Sequence, residues 1–351
     1  MIDVLKVVLP SVLTFIIGIS ITPFFTNFFY KHRMWKKSAR TEAGDITNED
    51  FGKVHNTSAE LSTPRIGGVI IWVSVLLTIA LIFILSKIFP GDITEKLNFF
   101  SRSQTYIPIG TLIFASLIGL SDDLLQIFGK GSYAKDPLIY RKVKIAFITI
   151  IGLLIGYWFY DKLEFTTIHI PFGGELELGI WFIPFLIIVM LGVFSSSVID
   201  GMDGLSGGVM SVVFTAYSVI AYSHNLIDIS ALCAVIAGGT LAFLWFNIPP
   251  ARFYMGETGI LGLTVTLSVI AFLTNSVLVL PIIALPLVAT SLSVVIQIVS
   301  YKYFNKHRVF KVAPLHHHFE ALGWSREKIV MRYWVISLVC AMTGVILSFV
   351  S

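Results

Sequence analysis

Charged side chains are scarce in this chain. Asp, Glu, Lys and Arg make up 13% of its 351 residues, whereas they make up roughly 25% of an average soluble domain. Hydrophobic residues make up 56%. This composition leaves too few polar side chains to cover the surface of a soluble globule, so it argues against that class and indicates a membrane protein.

Cysteine is almost absent as well. The two cysteines, Cys233 and Cys340, lie in apolar segments without a second Cys or a His at the spacing of a metal ligand, so a disulfide framework and a zinc ribbon have little support. Histidine is also rare, with eight residues in the whole chain. Three of them, His316, His317 and His318, nevertheless stand in a row, which points to a binding role rather than to packing.

Long apolar runs recur ten times along the chain. Each is close to the roughly 20 residues that a helix needs to cross a hydrocarbon core of about 30 Å. The predicted spans are 6–30, 66–89, 106–121, 144–160, 178–198, 207–223, 229–246, 258–274, 276–300 and 332–350. The first run ends in a basic cluster and lacks a cleavage pattern, so we expect it to be retained. The sequence predicts an all-α polytopic membrane protein with a single domain, 1–351.

Lysine and arginine are concentrated in alternate connections between these runs. The connections 31–65, 121–144, 199–206, 247–257 and 301–332 contain 20 of the 25 basic residues. The positive-inside rule puts such connections in the cytoplasm. We therefore expect both termini to lie outside and the histidine run to lie on the cytoplasmic side.

One connection predicted to lie outside has a different pattern. Residues 163–178 alternate between polar and apolar side chains on either side of Gly173-Gly174. Alternation around a glycine turn is typical of a β-hairpin. A small hairpin is therefore expected on the outer face.

Two pairs of aspartates stand at ends of the predicted spans. Asp122 and Asp123 follow the third span; adjacent carboxylates repel and have the wrong sign for a helix C-terminus, which favours a compensating cation over a solvated loop. Asp200 and Asp203 follow the fifth span among glycines. They can share one helical face beside a ligand or can belong to a simple turn.

A third acidic position follows the seventh span, in the segment 247–259. Glu257 lies between Gly256 and Gly259 at a predicted helix start, where free N–H groups favour anions such as phosphate. Glu257 is either a helix-capping carboxylate or a magnesium ligand, and we favour the ligand. Tyr254 can stack on a base or can anchor the membrane interface.

Basic residues complete this predicted site. Lys142 and Lys144 stand at the cytoplasmic start of the fourth span, where a topological role is the default. Carboxylates that hold Mg²⁺, cations that offset phosphate charge and helix N-termini that donate N–H groups are the parts that phosphoryl transfer needs. Zinc at the histidine run is disfavoured, because adjacent side chains cannot easily share one tetrahedral ion.

These motifs also carry a family resemblance. The chain resembles the polyprenyl-phosphate N-acetylhexosamine-1-phosphate transferase superfamily, and within it the phospho-N-acetylmuramoyl-pentapeptide transferases. The motifs are Asp122-Asp123, Asp200-Gly201-Met202-Asp203-Gly204, the segment 247–259 and Ala313-Pro314-Leu315-His316-His317-His318-Phe319-Glu320 with Gly323-Trp324. The histidine segment is the most specific of them, because the N-acetylglucosamine branches carry a different histidine pattern.

The resemblance implies a reaction and its partners. Undecaprenyl phosphate would attack the β-phosphate of UDP-MurNAc-pentapeptide, giving lipid I and UMP in the first membrane step of peptidoglycan synthesis. It implies a multi-pass protein of the bacterial inner membrane, surrounded by membrane lipids, with its active site on the cytoplasmic face and Mg²⁺ as cofactor. We expect no nucleic-acid partner, and a homodimer is left open.

The resemblance also implies residue roles. Asp122, beside Asp123, would be a base or would hold the lipid phosphate, and Glu257 would bind magnesium together with this pair. Lys144 or Lys142 would face phosphate. The remaining implied ligands of the substrate are Asp200, Asp203, Asn247 and Tyr254 around the nucleotide, and His316, His317 and His318 toward the sugar diphosphate.

The chain departs from the family pattern at several positions. Glu257 stands where the family usually has Asp, and Phe194 and Ser197 replace asparagines. The usual Lys-Gly-Thr-Pro-Thr-Met-Gly-Gly appears as Leu61-Ser62-Thr63-Pro64-Arg65-Ile66-Gly67-Gly68. We hypothesise that Arg65 supplies the cation that is missing at Leu61. These departures fit a divergent enzyme, an altered substrate or lost activity.

Three alternatives to the lipid I reaction remain at this stage. A related enzyme would use UDP-N-acetylglucosamine, which the histidine segment disfavours. A catalytically impaired paralogue would only bind lipid or nucleotide. A transporter would place its ionisable residues near the middle of the membrane, whereas the carboxylates here gather at span ends.

Overall fold

The computed structural model describes residues 2–36, 61–101, 104–129 and 137–350. Ten helices in these ranges are long and apolar enough to cross a membrane. The ten predicted spans are therefore confirmed, and the chain is a multi-pass, all-α membrane protein. Most of the polar connection 31–65 lies outside the described residues.

The first half of the chain contributes four spans and the hairpin. The helices are α1 (Ile2–Lys31), α2 (Val69–Ile88), the short α3 (Asp92–Leu97), α4 (Tyr106–Phe128) and α5 (Pro137–Lys162). Strands β1 (Thr167–Ile170) and β2 (Gly174–Glu177) follow and pair antiparallel, with Thr167 opposite Glu177 and Ile170 opposite Gly174. The predicted hairpin is therefore confirmed.

The second half contributes six spans. The helices are α6 (Phe182–Ser195), α7 (Leu205–Ser223), α8 (Ile227–Asn247), α9 (Gly256–Leu273), the short α10 (Leu280–Ile283), α11 (Leu285–Tyr303), the short α12 (Leu315–Ala321) and α13 (Arg326–Phe349). Short 3₁₀ turns precede α6, α7 and α10, at Gly179–Trp181, Ser196–Ile199 and Val277–Val279.

Four predicted spans differ clearly from the observed helices, and one of them is the fourth, whose helix α5 begins at Pro137 rather than at 144. The third continues to Phe128, so Asp122 and Asp123 lie within α4 rather than after it. The ninth is divided into α10 and α11 because Pro281 and Pro286, which have no N–H to donate, each stand near a helix start. The last begins earlier, at Arg326, where Ser325 Oγ caps the helix by accepting from the N–H of Lys328 at 3.4 Å.

Helix α9 lies at the centre of the molecule. In its spanning window 89% of the residues are buried, compared with 17% for α1. Helix α9 packs against α4, and α8 packs against α1 and α7. Two hydroxyl groups buried within α9 bond to their own helix, Thr264 Oγ1 to the carbonyl of Ile260 at 2.8 Å and Ser268 Oγ to the carbonyl of Thr264 at 3.1 Å. The N-terminus of this central helix is where the predicted site residues converge.

Candidate functional site

Asp122 lies in the last two turns of α4, and its side chain is almost fully buried. Its Oδ2 is 3.5 Å from Lys144 Nζ and accepts from Gln126 at 3.4 Å. Its other oxygen, Oδ1, is buried and accepts no hydrogen bond from the described residues. A buried carboxylate oxygen without a donor is costly unless a ligand or an ion compensates it, so Asp122 is a candidate for such a contact.

Asp123 is held by two elements from elsewhere in the chain. Its Oδ1 lies 3.4 Å from Arg65 Nε, and its Oδ2 accepts from the backbone N–H of Thr258 at 2.9 Å. Thr258 belongs to the first turn of α9. The sequence predicted that the free N–H groups at this helix start would favour phosphate, but Asp123 takes up one of them. Asp123 therefore places a carboxylate of the protein itself at the N-terminus of α9, where the helix dipole favours negative charge.

Glycines allow α4 and α9 to approach this closely. A Cβ on Gly119 would overlap the backbone of Glu257. Gly256 has φ +69°, and a Cβ there would lie 2.5 Å from Asp123 Oδ2. Glycine tolerates both the positive φ and the close contact. The spacing of glycines around Glu257 thus serves the contact between the two helices.

Lys144 joins the carboxylates of α4 and α9. Its Nζ lies 2.8 Å from Glu257 Oε1, in addition to its contact with Asp122. The side chains of Lys144 and Glu257 are each only 14% exposed, so water screens this pair weakly. Lys142 is exposed. Of the two candidate lysines, only Lys144 lies in the carboxylate cluster.

Asp200 and Asp203 lie in the turn before α7. Asp200 Oδ1 accepts from Ser206 Oγ at 2.7 Å, and Asp203 Oδ2 accepts from the N–H of Ala251 at 3.2 Å. Burial raises the pKa of both carboxyl groups above the ordinary value, against the hydrogen bonds that lower it. The charge of Arg65 and a hydrogen bond from the N–H of Gly256 also lower the pKa of Asp200. The aspartate turn therefore lies beside the N-terminus of α9.

Asn247 connects this turn with the segment that leads into α9. Its Oδ1 accepts from the N–H of Gly204 at 2.8 Å, and its Nδ2 donates to the carbonyl of Phe253 at 2.9 Å. The side-chain amide is buried, and both its oxygen and its nitrogen form hydrogen bonds within the protein. Asn247 thus fixes two loops against each other.

Tyr254 is held through its backbone. Its N–H donates to the carbonyl of Pro64 at 2.8 Å, and its carbonyl accepts from the N–H of Gly67 at 2.9 Å. These two bonds place Arg65, which lies between Pro64 and Gly67, beside the start of α9. The aromatic side chain itself is half-buried.

His316 and His317 face the aspartate turn. Both are buried in α12, and a Cβ on Gly201 would overlap His316 Nε2 and lie 3.3 Å from His317 Nε2. His317 Nδ1 donates to Glu320 Oε2 at 3.0 Å, and Arg326 Nε donates to the other oxygen of Glu320 at 2.6 Å. These bonds hold the His317 ring with its Nε2 toward Gly201.

The ring of His316 is the most isolated polar group of the site. It is 0% exposed, and neither ring nitrogen has a hydrogen-bond partner among the described residues. Burial, together with the neighbouring His317, lowers the pKa of His316 well below its ordinary value. The ring is therefore neutral near pH 7 and can donate through one nitrogen while it accepts through the other.

His318 faces another direction. Its Nδ1 accepts from the N–H of Lys311 at 3.1 Å, and its ring meets the edge of Phe310. Burial and then Lys311 lower its pKa below the ordinary value. The three consecutive histidines thus point in two directions. His316 and His317 face the aspartate turn, whereas His318 bonds to the loop that precedes α12.

The structure thus brings together the aspartates of α4, Glu257, Lys144, the aspartate turn and two of the three histidines. It adds residues that were not predicted as site members, namely Ser206, Glu320 and Arg326. The sequence held a signal for Glu320, which follows His317 by three residues on a helix. The carboxyl groups here outnumber the two cations, so a polyanionic ligand such as a diphosphate requires a further cation beside Lys144, Arg65 and the neutral imidazole.

Comparison with known proteins identifies the family. The profile of Glycosyl transferase family 4 matches residues 105–275. A phospho-N-acetylmuramoyl-pentapeptide-transferase of Geobacillus sp. (strain WCH70) is 32% identical, over 96% of this chain and 96% of that protein. The same-named protein of Borrelia recurrentis (strain A1) is 34% identical over 83% of each chain, and that of Chloroflexus aurantiacus (strain ATCC 29366 / DSM 635 / J-10-fl) is 29% identical over 99% and 91%. With its carboxylates and histidines gathered at one end of a ten-span bundle, the chain belongs to the phospho-N-acetylmuramoyl-pentapeptide-transferase family.

Proposed function

We propose that this protein transfers phospho-MurNAc-pentapeptide from UDP-MurNAc-pentapeptide to undecaprenyl phosphate. An oxygen of the lipid phosphate attacks the phosphorus that carries the sugar. A new diphosphate bond forms, the bond between the two phosphates of the nucleotide breaks, and UMP leaves with the bridging oxygen. The product is lipid I.

One structural observation carries this proposal. The aspartates of α4, Glu257 of α9 and the His316-His317 pair of α12 converge although they are far apart in sequence. Relatives that are named for this reaction match the chain over nearly its whole length. Lys144, Arg65 and the histidines offer cations and neutral donors to phosphate, and the carboxylates offer ligands for a metal ion that would offset the remaining negative charge.

Each group has a proposed task. Asp122 positions the lipid phosphate, which is already largely ionised near neutral pH and needs little help from a base. Lys144 offsets the charge that gathers on the phosphates. His316 donates a hydrogen bond to the sugar diphosphate, and His317 contacts the same part of the substrate. Asp200 and Asp203 lie toward the nucleotide with Tyr254, while Asn247 shapes their loop because its own amide is already used.

Mg²⁺ is the proposed cofactor, and the donor set fits it. No group of three His, Cys, Asp or Glu side chains able to hold a metal ion occurs in the part of the chain that the structure describes. Magnesium does not need one, because it usually binds one or two carboxylates together with substrate phosphates and water. The buried Asp122 Oδ1 is an oxygen of the required kind, with Asp123 and Glu257 beside it. The bound ion would stabilise negative charge on the diphosphate.

The orientation in the membrane belongs to the same proposal. Twenty of the 25 lysines and arginines fall in the connections on the side of the candidate site. The positive-inside rule then puts this site on the cytoplasmic face of the bacterial inner membrane and both termini outside.

One assay tests the reaction. The purified protein is incubated with Mg²⁺, undecaprenyl phosphate and UDP-MurNAc-pentapeptide, while UMP release and the lipid product are measured together. We expect both products in equal amounts. Turnover with UDP-N-acetylglucosamine alone would instead support the related transferase, and no turnover with either nucleotide sugar would support an impaired paralogue.

A further inference from the structure

A groove of about 310 Å³ lies beside the histidine helix, away from the carboxylates. Its lining consists of Phe319 and Trp324 together with residues of α13, namely Ile329, Arg332, Tyr333, Val335 and Ile336. Val335 is 62% exposed and Ile336 is 50% exposed. Their exposure means that the groove opens onto the outer surface of α13, where a membrane helix meets lipid chains.

Two cations stand over the ring of Trp324: Arg332, which lines this groove, and Lys328, one helical turn before it. Arg332 Cζ lies 4.2 Å from the centroid of the Trp324 ring, and Lys328 Nζ lies 5.0 Å from it. The two residues are four apart on α13 and therefore share one face. Neither forms an ion pair with an acidic side chain among the described residues. Trp324 thus holds two uncompensated positive charges close together.

The position of these cations along α13 matches a membrane boundary. Both lie in the first two turns of the helix, which begins at Arg326. Beyond them the exposed side chains of α13 are apolar except for Thr343, whose hydroxyl bonds to its own helix; the large ones are Val335, Ile336, Leu338, Val339, Met342, Ile346 and Phe349. Lysine, arginine and tryptophan are typical of the layer where lipid headgroups lie. A molecule in the groove would therefore have its polar end at the cations and its apolar end along α13.

We propose that this groove binds an anionic phospholipid of the surrounding bilayer. The phosphate of the lipid meets Lys328 and Arg332, and one acyl chain follows Val335 and Ile336. The two positive charges select an anionic lipid over a zwitterionic one, whose ammonium group they would repel. The site lies beyond the proposed transferase reaction and does not depend on it.

The groove also contacts the helix that carries the histidines. Phe319 of α12 stacks on Trp324 with the ring centroids 4.8 Å apart and the planes 15° apart. His316 and His317 belong to the same two-turn helix as Phe319. A lipid that packs on both rings therefore stabilises α12 in its observed position, and we expect it to raise the thermal stability of the whole protein.

The experiment measures thermal unfolding of the detergent-purified full chain during titration with phosphatidylglycerol or phosphatidylcholine. Phosphatidylglycerol should raise Tm at lower concentration. The double variant Lys328→Gln/Arg332→Gln should need about 30-fold more phosphatidylglycerol, as expected for the loss of two interfacial charges. The control Lys302→Gln/Lys306→Gln removes two exposed cations, one from the last turn of α11 and one from the connection after it, and should leave the titration unchanged. Val335→Trp, which fills the groove but keeps the cations, should also weaken the response.

Several outcomes would overturn the proposal. They are an equal response to both lipids, an equal loss in the control, and an equal shift by glycerol 3-phosphate, which has no acyl chain. Displacement of phosphatidylglycerol by undecaprenyl phosphate from the unaltered protein, but not from the double variant, would assign the groove to the lipid acceptor instead. If the double variant does not fold, the single variant Lys328→Gln decides, and an unchanged titration with it contradicts the proposal.

Discussion

Lys144 Nζ lies 2.8 Å from Glu257 Oε1, although the two residues are 113 positions apart in the chain. The same ammonium group lies 3.5 Å from Asp122 Oδ2. Lys144 is therefore the cation that α4 and α9 share at the point where their carboxylates meet. Its position balances the charge of these carboxylates, and the proposed reaction also requires it to face phosphate.

Lys144→Gln should lower turnover by about 10²-fold or more, because a preorganised charge in a water-poor site stabilises developing negative charge strongly. UMP release under saturating substrates measures the effect. Lys142→Gln is the matched control, since Lys142 has the same charge two residues away but is exposed. Equal activities of the two variants would remove Lys144 from the reaction.

Glu257→Gln should abolish turnover, and Glu257→Asp should retain or raise it. The Asp variant keeps an ionised carboxylate and restores the residue that is usual in the family, whereas Gln keeps only the shape. Turnover is measured as a function of Mg²⁺ concentration, and the Asp variant is expected to change the concentration that gives half-maximal activity. Undiminished activity of Glu257→Gln would show that Glu257 binds no metal.

Arg65 is expected to replace a cation that the family carries four residues earlier. Arg65→Thr should lower activity and stability, because Asp123 is 0% exposed and would lose a charged partner. Adding Leu61→Lys to Arg65→Thr restores both residues of the usual pattern and should recover activity. The two variants are compared by kcat, KM and Tm. A double variant no better than the single one would mean that Arg65 does not take over the role of that lysine.

Asp200→Asn should raise stability near neutral pH while it lowers activity. Burial raises the pKa of Asp200 in the folded protein, so the unfolded chain loses this proton first, and its carboxyl pKa is about 3.9. Ionisation therefore costs stability as pH rises above that value. The gain in Tm from Asp200→Asn should shrink as pH falls toward about 4. Thermal unfolding measured from acidic to neutral pH tests this, and a gain that does not depend on pH would contradict it.

Asn247→Ala should destabilise the protein by about 1–3 kcal/mol, because it leaves the buried N–H of Gly204 and carbonyl of Phe253 without partners. Thermal unfolding measures the loss, and nucleotide binding is measured on the same samples. We expect binding to fall only as far as the loop loses its order. Unchanged stability with lost nucleotide binding would instead mean that the amide contacts the substrate.

Much of the architecture follows from local composition. Ten apolar runs predict ten spans, because a segment of this length must satisfy its backbone hydrogen bonds as a helix in lipid. The hairpin follows from alternation around Gly173-Gly174. The ends of the helices are less predictable, since α4 continues past Asp122 and Asp123, whose charge is offset by Lys144, Arg65 and the N-terminus of α9.

The candidate site shows the same division. Residue types and motif spacing were enough to identify Asp122, Glu257 and His316 as candidate site residues in an otherwise apolar chain. Contacts between distant segments decided the rest. They bring Lys144 rather than Lys142 to the carboxylates, turn His316 and His317 toward the aspartate turn, and place Asp123 at the N-terminus of α9. Sequence determined the spans because hydrophobic burial and backbone bonding act locally, whereas only the tertiary structure decided the partners because charges act through space.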